Sequence, residues 1–127
     1  MIYTSYTSYF ANIKKLCGLV PISIARITPS YLNIPSYLNL APTFSMLKMP
    51  IDKYLVEYNK ILENLDPNKV IEDLNEIAGG KPFVLLCYEK PNEFCHRHLV
   101  SAWLKDKLNL QIEEWKDTQK DTQLTLF

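Results

Sequence analysis

Glycine is nearly missing from this sequence. Only Gly18, Gly79 and Gly80 occur in 127 residues, which excludes a glycine-rich loop that cradles phosphates. Cysteine is scarce as well, limited to Cys17, Cys87 and Cys95. An odd count of this kind fits free thiols in a reducing compartment better than a disulfide framework, so a cytoplasmic location is expected. No apolar run approaches the length of a membrane span; the longest is Phe83–Cys87. The opening "MIYTSYTSYFANIKK" holds no apolar core of a signal peptide. Net charge is absent too, because 14 basic and 14 acidic side chains cancel. That balance argues against a broad electrostatic surface for nucleic acid, though not against a local one.

What is present suits a globular protein. Apolar residues make up 47% and aromatics 12% of the chain, enough to build one core without staples. Residues 1–115 read as a single domain and 116–127 as a polar, flexible tail.

Along the chain, "MIYTSY" reads as a short strand. A helix is expected over "TSYFANIKKL", with Thr7 or Ser8 as its N-cap. "GLVPISIAR" reads as a second strand; its Pro21 lacks a donor and belongs at a strand start or a sheet edge. Residues 27–42 carry three prolines and no period, so an ordered loop is expected there. "TFSMLK" predicts a short helix ended by Pro50. "DKYLVEYNKILENL" aligns Tyr54, Leu55, Tyr58, Ile61, Leu62 and Leu65 on one helical stripe. "DPNKVIEDLNEIAGG" predicts a helix with Asp66 as N-cap, Pro67 at its first position and glycines at its end. "KPFVLLCYE" is continuously apolar, as a strand covered on both faces should be. "HRHLVSAWLKDKLN" predicts an amphipathic helix and "LQIEEW" a last strand. The order predicts an α/β domain with a mostly parallel sheet of about four strands flanked by helices.

Ligands in such sheets sit beyond the carboxyl ends of the strands. "SIAR" delivers Arg26 to that edge, and "VLLCYE" delivers Cys87 and Glu89. Just beyond, "CHRH" opens the next helix with Cys95, His96 and Arg97. A helix start favours thiolate on Cys95. His96 and Glu89 are able to move protons, and Arg97 offers a planar fork to phosphate. Successive helical residues point about 100° apart, so at most two of Cys95, His96 and Arg97 are expected to face one pocket. Cys87, near the strand's end, reads more readily as a small core residue than as a catalytic one. A zinc site at Cys87, Cys95 and one of His96 or His98 is disfavoured, because seven residues separate the cysteines and no second pair stands near. No metal and no cofactor are expected.

"VLLCYEKPNEFCHRHLVSAWL" resembles the signature of domain-of-unknown-function family four hundred eighty-eight: a strand ending in Cys-x-Glu, a short loop, then Cys-His-Arg opening a helix. "IYTSYTSYF", "ISIARITPSY" and "LAPTFSML" resemble further segments of that family, so the likeness spans about residues 2–115. It implies a Rossmann-like fold and marks Arg26, Cys87, Glu89, Cys95, His96 and Arg97 as a polar constellation. Where many relatives carry Asp two positions before the arginine, this chain has Ile24. The family implies a site and not a reaction.

The tail ends in "QLTLF". Gln123, Leu124, Leu126 and Phe127 resemble the peptide by which bacterial replication and repair proteins dock on the sliding clamp, although the same residues could pack on their own domain as an edge strand. Three functions follow as expectations. One is an enzyme acting on a nucleotide or nucleic-acid base, with Cys87 or Cys95 as nucleophile, His96 or Glu89 as proton shuttle, and Arg26 with Arg97 on phosphate. Tyr6, Tyr9, Tyr31 and Tyr37 are then available to stack on a base. The second is a non-catalytic binder of nucleotide-like ligands. The third is an interaction protein recruited to the clamp. No membrane partner is expected.

Overall fold

A computed structural model of the chain describes residues 5–16, 18–89 and 94–115. The clamp-like peptide Gln123–Phe127 lies outside the described residues. Four strands form one parallel sheet: β1 (Tyr6–Tyr9), β2 (Val20–Ser23), β3 (Phe83–Cys87) and β4 (Glu113–Glu114). Their order is β2-β3-β1-β4. Three helices, α1 (Ile51–Glu63), α2 (Pro67–Ala78) and α3 (His96–Leu108), complete a Rossmann-like α/β domain. No helix among the described residues is long and apolar enough to cross a membrane.

β3 is the apolar run singled out by the sequence, and all five of its residues are buried. From Phe83 to Leu86 its side chains alternate between two apolar clusters. Phe83 and Leu85 join Tyr58, Leu74, Val100 and Leu104 of the helices. Val84 and Leu86 join Phe10, Leu16 and Trp115 on the other face. A strand needs apolar residues at every position only when both faces are covered.

The helices start and stop where the sequence says they should. Asp66 caps α2 by accepting the Asn68 N–H at 3.0 Å, with Pro67 at the first turn. Gly79 ends it with φ of 65°, a left-handed conformation that glycine adopts without strain. The stripe of α1 buries Tyr54, Tyr58 and Leu62. Pro21 sits in β2, an edge strand, where a missing N–H costs no internal ladder bond.

The start of the chain departs from expectation. Tyr6–Tyr9 is a strand, and only Phe10–Lys15 turns, as a 3-10 helix without a side-chain cap. The hydroxyls expected to cap a helix have other partners. Thr7 donates to Glu114 Oε1 at 2.9 Å, and Ser8 accepts from Asn12 at 2.9 Å. Strand pairing on both sides, with β3 and β4, outweighs the local helical spacing. Residues 27–42 hold two 3-10 turns, Ser30–Leu32 and Leu38–Leu40, and a bridge between Ser23 and Ser36.

Candidate functional site

Parallel register sets the site. Ser23 of β2 lies beside Leu86 of β3, and the Ile24 N–H continues the ladder to Leu86 O at 3.0 Å. The residues at and beyond the strand ends, Ala25–Ile27 and Cys87–Glu89, therefore leave the sheet side by side. Cys95 is the N-cap residue of α3 and His96 its first residue. These three segments border a cavity of about 300 Å³, at the lower end of the range for small-molecule pockets.

Arg26, Cys87, Glu89, Cys95 and His96 all line it. Arg97 does not. Its side chain turns away toward Cys87, Glu89 and Glu114, in keeping with the angular step between helical neighbours. Arg97 is fully buried. It donates to Glu114 from Nε (2.9 Å) and Nη2 (3.0 Å), and from Nη1 to Cys87 Sγ (3.0 Å) and Glu89 O (2.6 Å). Tyr6 and Tyr9 lie on β1, outside the lining. Tyr31 is exposed and also outside it. Tyr37 is buried and donates to Asp73 at 2.6 Å; burial and that bond push its hydroxyl up to about 12.

Burial and two hydrogen-bonding directions define His96. Its Nε2 is 2.7 Å from Ile24 O. A carbonyl only accepts, so Nε2 carries the proton, and Nδ1 keeps its lone pair. Nδ1 faces Cys95 Sγ at 3.7 Å. Burial lowers the imidazole pKa to about 4, against the opposing pull of the Ile24 carbonyl and with help from Arg97 and His98. His96 is thus a neutral imidazole at neutral pH, with a lone pair beside a sulfur. The ring of Tyr58 packs edge-on against it, centroids 5.4 Å apart, and Tyr58 donates its hydroxyl to Leu40 O at 2.6 Å.

Cys87 and Cys95 are joined by a disulfide. The odd cysteine count argued against this pairing. Counting says nothing about space, and the fold brings the end of β3 against the cap of α3. Arg26 occupies the rim, with Nε donating to Pro42 O at 2.7 Å and the guanidinium 5.5 Å from the centre of the Phe44 ring. Its terminal nitrogens have no partner among the described residues. Tyr54 and Phe94, whose rings meet edge-to-face at 5.1 Å, wall the apolar side. Burial raises the Tyr54 hydroxyl pKa well above its ordinary range, with Glu89 adding to the shift.

Sequence reasoning missed Glu114, Tyr54, Tyr58 and Phe94 as neighbours of this site. The tyrosines left one signal. Two hydroxylated rings four residues apart on a buried helical stripe favour polar neighbours, where leucine needs none; Tyr58 finds one in Leu40 O.

Residues 35–108 match the family model DUF488-N3a, described as the active DUF488-N3 subclade. The matched span includes Cys87, Glu89, Cys95, His96 and Arg97, while Arg26 precedes it. No curated protein and no solved structure matches the chain.

Proposed function

The chain belongs to the active DUF488-N3 subclade, and we propose that it is an enzyme acting on a nucleotide or on a base in nucleic acid. One observation carries this reading. Two sulfurs, a neutral imidazole, a carboxylate and an arginine whose terminal nitrogens have no partner among the described residues converge on a single cavity at the carboxyl edge of the sheet. Arg26 holds the anionic part of the ligand through its terminal nitrogens. Tyr54 and Phe94 offer aromatic walls to a flat base. Bond-making is centred on Cys95 and His96, with Glu89 at the mouth as a proton carrier. Arg97 is a positioning residue that fixes Cys87 and the Glu89 backbone without reaching the ligand.

Reduced protein incubated with a panel of nucleotides and single-stranded oligonucleotides, followed by mass spectrometry, tests this reading. A modified product that disappears in Cys95→Ser, with an unchanged circular dichroism spectrum, is the expected result. Quantitative recovery of every ligand unchanged would make the cavity a binding site only. Full turnover in Cys95→Ser would remove the sulfur from the chemistry.

A further inference from the structure

We propose that the reduced chain binds a thiophilic divalent cation, zinc foremost, through Cys87 Sγ, Cys95 Sγ and His96 Nδ1, with the fourth coordination position turned into the cavity. The three ligand atoms lie within 4.8 Å of one another and all three residues are buried. Cys95 Sγ and His96 Nδ1 are 3.7 Å apart; a sulfur and a nitrogen bound to one tetrahedral zinc stand about 3.6 Å apart. The two cysteine Cα atoms are 7.4 Å apart, wider than most disulfides span. Once the bond is reduced, that spacing leaves room for an ion between the sulfurs.

Two outer contacts fit a ligand set. The His96 Nε2–H bond to Ile24 O fixes the ring and aims the Nδ1 lone pair inward, which is the support that metal-bound imidazoles receive. Arg97 Nη1 donates to Cys87 Sγ at 3.0 Å from a fully buried guanidinium. A disulfide sulfur accepts weakly. A thiolate, the form that ligates metal, accepts strongly beside a cation. Two thiolates, one neutral imidazole and a divalent ion sum to zero charge, which suits ligands whose side chains are buried. Thiolate and imidazole ligands select zinc over magnesium or calcium. Three protein ligands with an open fourth position is the arrangement of catalytic zinc sites, whereas structural sites are closed by four. The seven-residue gap between the cysteines, which counts against a zinc site in the sequence, is closed by the tertiary fold. The proposal rests on geometry alone and does not depend on the nucleotide reading; with the ion bound, Cys95 and His96 are ligands and not nucleophile and base.

Loading starts from the dithiol. A water-soluble phosphine reduces the Cys87–Cys95 bond: it takes oxygen from one water and leaves as phosphine oxide, and the two hydrogens of that water end on the two sulfurs. The cation then displaces both thiol protons to solvent.

The test uses the full chain, reduced with the phosphine, stripped of metal and kept free of oxygen. It is titrated with Zn²⁺ against a chromophoric chelator, and separately with Co²⁺. One ion per chain is expected, with the intense visible bands of tetrahedral cobalt and a thiolate-to-cobalt charge-transfer band. Cys87→Ser, Cys95→Ser and His96→Gln should each weaken zinc binding by more than about a hundredfold, the upper end of what outer contacts alone cost. Cys17→Ser should leave it unchanged, and the oxidised chain should not bind. A folded, reduced chain that takes up no stoichiometric ion would overturn the proposal, as would undiminished binding in Cys95→Ser. If the cysteine variants do not fold, the wild-type cobalt spectrum decides: absence of the sulfur charge-transfer band refutes the site.

Discussion

Two polar clusters meet at the first turn of α3, and they are built on opposite plans. On one side Arg97 is fully buried and has four hydrogen bonds, two of them to Glu114. His98 and Thr7 reach the same carboxylate, at 3.3 and 2.9 Å. On the other side Cys95, His96 and Arg26 border a cavity, and they keep a lone pair and terminal N–H groups in reserve. The saturated cluster ties α3 to β3 and β4, and in the proposed reading the unsaturated one is where a ligand finds partners. His96 and Arg97, adjacent in sequence, thus divide between the cavity and the anchor.

The sharpest way to break this contrast is to empty the anchor. Arg97→Met should destabilise the fold by about 3–5 kcal/mol in chemical denaturation, because it strands a partly buried carboxylate. Arg97→Lys should recover only part, since an ammonium cannot reproduce the two-pronged contact with Glu114. A loss under about 1 kcal/mol would mean that the cluster is no anchor.

The next effect is acid sensitivity at His96. Its folded pKa of about 4 lies below the ordinary 6.5, so the unfolded chain takes a proton that the folded chain refuses. The stabilising contribution of this residue is complete above about pH 6.5 and falls as pH drops toward 4, by roughly 3 kcal/mol in all. Below about 4 both states are protonated and the slope ends. Subtracting the stability profile of His96→Gln from that of the wild type isolates this limb from the carboxylates. A flat difference between pH 4 and 6.5 would contradict the burial described for the imidazole.

A smaller effect is expected behind the ring. Tyr58→Phe removes the bond to Leu40 O and leaves a buried acceptor unpaired, a loss of about 1–2 kcal/mol by thermal or chemical denaturation. The smallest is Arg26→Ala. Its bond to Pro42 O and its contact with Phe44 lie at the rim, so stability should change by less than about 1 kcal/mol. Its effect should instead be seen as weakened nucleotide binding by calorimetry. A large stability loss here would erase the distinction between the two clusters.

Much of this fold is readable before any coordinates. The apolar β3, the caps of α2 and the stripe of α1 are local patterns, set by residues close in the chain. Tyr6–Tyr9 misleads because polar residues with helical spacing after them are recruited by two partners far away in sequence. At the site, the step between helical neighbours foretells that Cys95, His96 and Arg97 cannot all face one cavity. It does not say which one turns away. That depends on Glu114, an acid next to Glu113 in a short strand, which looks like any solvated carboxylate until tertiary structure brings it to Arg97. The pairing of Cys87 with Cys95 was hidden for the same reason.

The sheet order has a consequence for synthesis of the chain. β1 and β2 do not pair with each other; both pair with β3, which emerges some sixty residues after β2. A ribosome therefore releases the first two strands with open edges and no mate among the four. The parallel sheet closes only when Phe83–Cys87 arrives and inserts between them. Assembly by late insertion is slow for such topologies and leaves unpaired strands exposed meanwhile. A nascent chain stalled while Phe83–Cys87 is still inside the ribosome should thus depend on holding chaperones, and one stalled after that strand has emerged should depend on them less.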